Sequence, residues 1–247
     1  FAAGYLARFL GGFIFSHIGD TSGRKQPFMI TLFLMAFPTL GIAFLPTYQE
    51  IGVVAPVLLL LFRIAQGFAL GGEAPCAMAF VHELDEKHKS FSMGLLFGGI
   101  IFGSFFASFL YTIINYYLTI EQFNNWGWRL PFAVGGLLGI LGAYLRKSLN
   151  ESREFILIKE KKRLSAIPFL DLIRKNLRLS VYSIFLVLPS STAFFYFLVI
   201  SSHFLEKQYH YEPLLIKNVV TFSFLLNAIF CVIFGFLSDK FGVKTIY

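Results

Sequence analysis

The feature that most constrains this chain is a succession of apolar runs about 20 residues long, separated by short polar breaks. A helix rises 1.5 Å per residue, so about 20 residues cover the roughly 30 Å of hydrocarbon in a bilayer. Such runs fall at residues 1–19, 27–45, 53–81, 91–118, 130–144, 179–205 and 214–238, and an eighth starts at Thr245. The chain is 56% hydrophobic and 14% charged, against roughly 25% charged residues in a soluble domain. A single water-soluble core has no use for that much apolar surface, so the expected class is an all-α membrane protein. The first run has neither an initiator Met nor a basic flank, and reads as a truncated span rather than a signal peptide.

Alternate breaks carry the positive charge. One set holds Arg24 and Lys25, then Lys87 and Lys89, then the stretch 146–178, then Lys240 and Lys244. The intervening breaks hold no base at 46–52, Arg129 alone at the next, and Lys207 with Lys217 around the third. Cytoplasmic loops collect Lys and Arg, which puts the first set inside. The net charge of +7 is thereby explained by topology, without nucleic acid as a partner. Residues 146–178 form the one long polar segment, with Lys159, Lys161, Lys162 and Arg163 at its middle. It reads as a cytoplasmic linker close to anionic headgroups. Trp126 and Trp128, before Arg129 and Pro131 at an outer break, suit the headgroup region and anchor the next helix.

Two motifs stand out. Gly12, Gly19, Asp20, Gly23, Arg24 and Lys25 fill the first cytoplasmic turn and its approach. The glycines permit a tight reversal, and an acid with two bases concentrates charge in a very short loop. Gly235, Asp239, Gly242 and Lys244 repeat the arrangement far downstream, once in each hydrophobic block, as an internal repeat would. The second motif is Arg63-Ile64-Ala65-Gln66-Gly67 with Gly71-Gly72-Glu73 inside the third run. At about 100° per residue, Gln66 and Glu73 lie about 20° apart and Arg63 about 60° from Gln66, so the three share one stripe. Charges at membrane depth cost about 2.5 to 3.5 kcal/mol each and face a cavity or a partner. Pro75 is expected to kink the helix beside Glu73. Pro189, Thr192 and Tyr196 in the sixth run, where the proline is expected to unwind backbone, and Asn227 in the seventh are weaker polar candidates. Gly94, Gly98, Gly99 and Gly103 read as packing faces.

Here the chain resembles the major facilitator superfamily, whose cytoplasmic loop motif has the form G-x-x-x-D-x-x-G-R-[RK] between its second and third helices, with a weaker copy between the eighth and ninth. This sequence has Thr21 after the Asp, where Arg is usual, and Val243 where a base is common, so its loop charge is thinner. The R-x-x-Q-G and G-G-E elements, with Gly127-Trp128-Arg129-Leu130-Pro131-Phe132, look like the metabolite:proton symporter branch. The resemblance implies a two-bundle helical transporter truncated at both ends. Residues 1–145 would be family helices 2 to 6, 146–178 the central loop, and 179–247 helices 7, 8 and the start of 9. It also implies that Asp20, Arg24 and Lys25 close the inner face in one end state.

The expected function is proton-coupled symport of a small organic solute, proline- or betaine-like or a carboxylate, across a bacterial cytoplasmic membrane by alternating access. A proton-independent facilitator and a solute sensor on the same fold are the alternatives. Glu73 is expected in proton coupling and Arg63 in attracting or gating a carboxylate, on a pathway with Gln66, Thr192, Tyr196 and Asn227. Lipid is the surrounding partner and a monomer the expected unit. No metal-ligand spacing or nucleophile arrangement is present, Cys76 and Cys231 stand apart in apolar runs, and the reading carries no enzyme activity and no cofactor.

Overall fold

In a computed structural model the described residues are 2–84, 87–160, 168–196 and 201–246. No strand occurs among them. The main helices are α1 (Ala2–Ser22), α2 (Lys25–Ala43), α4 (Val54–Leu84), α5 (Lys89–Tyr117), α7 (Arg129–Lys147), α9 (Pro168–Phe195) and α11 (Pro213–Phe241). Shorter helical pieces are α3 (Tyr48–Ile51), α6 (Ile120–Gln122), α8 (Arg153–Glu160), α10 (Ser201–Tyr209) and α12 (Val243–Ile246). Among the described residues, five stretches are long and apolar enough to cross a membrane: Lys25–Ala43, Val54–Leu84, Lys89–Tyr117, Ile120–Lys147 and Leu214–Phe241. α1 has 21 residues, about 31 Å, but Arg8 and His17 interrupt its apolar character.

The apolar runs exceed what the interior holds, and the surplus faces outward. Leu6, Phe37 and Ile120 are 73%, 75% and 83% exposed, as helices whose outer faces meet lipid should be. The interior is built where α1, α2 and α4 converge, on Phe15, Phe28, Cys76, Ala77 and Phe80. α1 and α4 approach closely enough that a side-chain carbon on Gly71 would lie 1.8 Å from the Arg8 carbonyl oxygen, and one on Gly67 2.0 Å from that of Gly4. Any larger residue at either place must push the helices apart. α7 packs on α2, and α5 turns away to pack on α11. There Gly94 meets the Cys231 carbonyl and Gly98 that of Ala228, while Gly99 and Gly103 face open space. The glycine strip expected on α5 is thus a packing face at two of its four positions. The reason is the crossing, since only one stripe of α5 touches α11.

Several boundaries differ from the apolar runs. α7 continues to Lys147, which places Arg146 inside a helix rather than in the polar linker. Of that linker, α8 and the first turns of α9 are helical, and Lys161, Lys162 and Arg163 lie outside the described residues. The run 179–205 is covered by α9 and α10, with 197–200 outside the described residues. Pro189 does not unwind α9; the non-helical residue is Asn176 (φ −134°, ψ 29°). α4 likewise runs helical through Pro75. At the outer end of α7, Arg129 donates to the Asn125 carbonyl at 2.6 Å and, across the bundle, to the Leu45 carbonyl at 3.1 Å. Its guanidinium also lies 4.7 Å from the Trp128 ring centroid.

Candidate functional site

Two polar regions sit in this apolar frame. The first is a cavity of about 300 Å³ whose lining includes Tyr5, Arg8, Met35, Arg63 and Gln66. Arg63 donates to Gln66 Oε1 at 3.3 Å, and Gln66 Nε2 donates to Thr39 Oγ1 at 2.8 Å. Thr39 in turn donates to the Met35 carbonyl at 2.6 Å. This chain runs from α4 to α2 and satisfies polar groups that would be costly in hydrocarbon. Arg63 lies 5.5 Å from the Phe132 ring centroid, and Arg8 lies 5.1 Å from that of Tyr5. Arg8 stands twelve residues from Asp20 on α1, about 18 Å from the inner end, near the middle of a span.

The structure divides the polar stripe read from α4. Arg63 and Gln66 line the cavity, but Glu73, about 15 Å further along the axis, is turned to Arg146 of α7 at 3.2 Å. Arg146 also donates to the Phe28 carbonyl at 3.2 Å and lies 3.6 Å over the Phe28 ring. One guanidinium thus ties α2, α4 and α7 together. Thr192 donates to its own helix at the Leu188 carbonyl, 2.8 Å away. Tyr196 is exposed, and Asn227 accepts from Cys231 Sγ at 3.5 Å. None of these three lines the cavity.

The second region is the turn between α1 and α2, expected at the inner face. Arg24 bonds Asp20 one helical turn earlier and Glu83 of α4 at 3.0 Å. Glu83 accepts from the Ser152 hydroxyl. Glu151 Oε1 accepts from the backbone N–H groups of Arg24 at 2.9 Å and Ser152 at 3.1 Å, and its Oε2 from that of Lys25 at 3.2 Å. A carboxylate from the linker therefore caps the start of α2, where unpaired N–H groups and the helix dipole favour negative charge. Burial works against the Arg24 charge, but the bond and charge of Asp20, with Glu83 behind it, outweigh that and hold its pKa above the ordinary value. Lys25 Nζ reaches the Lys147 carbonyl at 3.0 Å. Gly23 adopts φ +117°, a conformation that favours glycine.

The downstream copy works differently. Asp239, at the end of α11, accepts from the backbone N–H groups of Ser90 at 3.0 Å and Phe91 at 2.8 Å. It caps α5, whose own preceding residue, His88, makes no side-chain cap. Gly235 lets α11 come close, since a side-chain carbon there would lie 2.6 Å from the Ser90 carbonyl. Gly242 has φ +87° and permits the turn after α11. Lys244 lies in α12.

Sequence reasoning missed Arg8, Tyr5, Glu83, Arg146, Glu151 and Ser152. Arg8 had a signal, a lone charge in the middle of an apolar run. Glu151 and Ser152 had none, because their partners lie more than a hundred residues and roughly seventy residues away.

A bundle of apolar helices around a polar cavity, with charged clasps at one end, defines a multi-pass integral membrane protein. Residues 1–247 match the sequence profile described as Major Facilitator Superfamily, and the chain belongs to that family. It is 35% identical over 258 residues to a Staphylococcus aureus protein described as a proline/betaine transporter, covering 100% of this chain and 53% of the relative. It is 35% identical to the inner membrane metabolite transport protein YhjE of Escherichia coli, covering 98% and 56%. The alpha-ketoglutarate permease of the same organism is 30% identical, covering 99% and 56%. The chain spans about half the length of these curated relatives. Its fold is that of the proton:xylose symporter XylE bound to 6-bromo-6-deoxy-D-glucose, with a TM-score of 0.73 at 18% identity over 97% of this chain and 58% of that one.

Proposed function

We propose that the protein is a proton-coupled symporter of a small organic solute in a bacterial cytoplasmic membrane, working as a monomer by alternating access. The observation that carries the reading is a mid-span cavity lined by Arg8, Arg63 and Gln66 with charge clasps at the inner face below it. Such a layout binds solute at depth and opens when one bundle rocks against the other. The relatives' names point to proline, betaine and organic-acid solutes, and XylE to proton coupling on this fold.

In this reading Glu73 carries the proton. Neutralising it would release Arg146 from its only described carboxylate partner and loosen α7 from α4 while leaving the Arg24 clasp in place. A break in a partly buried ion pair is worth a few kcal/mol, enough to bias an equilibrium between end states. The test is uptake into proteoliposomes by the protein expressed from its full reading frame. A pH gradient should drive accumulation of the transported solute, and collapsing the gradient should leave equilibration only. Glu73→Gln should abolish accumulation and retain counterflow. Undiminished uphill uptake by Glu73→Gln would remove Glu73 from coupling, and accumulation unaffected by collapsing the gradient would make the protein something other than a proton symporter.

A further inference from the structure

Thr39 stands where α2 faces both α4 and α7. Its methyl is turned to α7, where a side-chain carbon on Gly135 would lie 3.7 Å from Cγ2. Its hydroxyl donates to the Met35 carbonyl one turn earlier at 2.6 Å. A Thr side chain on a helix has few χ1 wells, and a bond to the preceding turn selects among them. Oγ1 is therefore held in place with a lone pair toward α4, and Gln66 Nε2 donates to it at 2.8 Å.

One arrangement of protons satisfies this relay. A guanidinium has donors and no acceptor, so the Gln66 atom 3.3 Å from Arg63 must be Oε1. The amide nitrogen then faces Thr39, and the hydroxyl that accepts from it must send its own proton elsewhere. The Met35 carbonyl, which can only accept, receives it. A hydroxyl meets both needs at once, and a methyl in its place meets neither.

Resting on the transport reading above, we propose that Thr39 is a positioning residue for the solute pathway, its hydroxyl fixing which way the Gln66 amide points and, through Oε1, holding one side of the Arg63 guanidinium at the cavity wall. Thr39 is not among the residues that line the cavity, so it acts through Gln66 rather than on solute. The Phe132 ring, 5.5 Å from the same guanidinium, is a further contact from α7. Thr39→Val keeps the shape beside Gly135 but leaves the Gln66 amide without its acceptor on α2, and the amide is then free to turn. A neutral hydrogen bond of this kind is worth about three- to tenfold in an equilibrium.

The experiment has two arms, both on the purified protein expressed from its full reading frame. In the first, butanedione modification of Arg63 is followed by mass spectrometry, with Arg8 of the same cavity as internal reference. Thr39→Val should speed modification of Arg63 about threefold or more and leave Arg8 unchanged. Thr39→Ser should match the unaltered protein, and Thr39→Val added to Gln66→Leu should change nothing further. A rise at both arginines would mean general loosening and overturn the proposal, as would unchanged rates at both. In the second arm, uptake of labelled proline, glycine betaine and α-ketoglutarate is measured in proteoliposomes. For each probe transported, Thr39→Val should raise KM about fivefold with the maximal rate little altered, and Thr39→Ser should restore KM. An unchanged KM overturns the proposal. Thr39→Ala removes the same hydroxyl and carries the same expectations should Thr39→Val fail to fold. Flux of none of the probes, with the Arg63 rates as expected, would sink the transport reading and leave the relay, whereas flux with Arg63 rates and KM both unchanged would sink the relay and leave the transport reading.

Discussion

The two charged turns share an Asp, a Gly and a Lys at the same offsets and do opposite jobs. In the first, Asp20 is spent on Arg24 within the same turn, and the start of α2 is capped by Glu151 from the linker. In the second, Asp239 ignores its own turn and caps α5, which belongs to the other block. One copy organises a bundle internally, and the other fastens α11 to α5. The difference follows from what stands beside each aspartate. Arg24 is within reach of Asp20, while the equivalent position downstream is Val243, which can neutralise nothing. An aspartate without a base one helical turn on is available to a distant helix N-terminus.

The largest expected effect comes from Arg24→Ala. It removes the cation shared by Asp20 and Glu83, which are 36% and 11% exposed at the side chain, and leaves two carboxylates near each other. Loss of a pair this poorly hydrated should cost about 3 kcal/mol, seen as a fall in the thermal unfolding midpoint in detergent. A loss no larger than that of an exposed ion pair, below about 1 kcal/mol, would mean the turn is not held by charge.

Asp239→Ala comes next, at about 2 kcal/mol for two charge-assisted bonds to backbone N–H groups. Its effect should be on the contact between blocks, so cysteines placed along α5 near Ser90 should react faster with an aqueous maleimide. Asp239→Asn keeps an acceptor and should lie between. Labelling rates equal to those of the unaltered protein would show that the cap does not hold the two blocks together.

The smallest and most discriminating comparison is Gly23→Ala against Gly242→Ala. Both glycines have positive φ, so each substitution stores about 1 kcal/mol of backbone strain. At Gly23 the new carbon would also lie 2.3 Å from the Glu151 carboxylate, whereas at Gly242 nothing lies within 4 Å. Glu151 cannot yield without loosening its bonds to the N–H groups at the start of α2. Gly23→Ala should therefore be the more damaging by roughly 1 kcal/mol, and equal midpoints would show that Glu151 does not depend on this space.

Part of the candidate site was legible before any coordinates. Arg63 and Gln66 are one helical turn apart, and helical periodicity alone placed them on one stripe. The same periodicity put Glu73 beside them, yet a stripe says nothing about what faces it at each level. Arg146 of α7, 73 residues away, took Glu73, while α1 supplied Arg8 at the level of Arg63. Pro189 illustrates a different limit. A proline inside an apolar run is compatible with a continuous helix or a broken one, and here the departure from helical geometry came at Asn176.

By itself the sequence determined the class of fold and the two turns, and set the expectation of an inner face. Those depend on run length, on where Lys and Arg fall, and on glycines at fixed offsets, all of them local quantities set by the bilayer and by backbone sterics. Only the tertiary structure decided which carboxylate meets which cation, that α5 packs on α11, and that Arg8 and Arg63 share a cavity. Such pairings depend on how close and at what level two helices cross. Here that is set by contacts such as Gly67 against Gly4 and Gly71 against Arg8, whose partners are more than sixty residues apart.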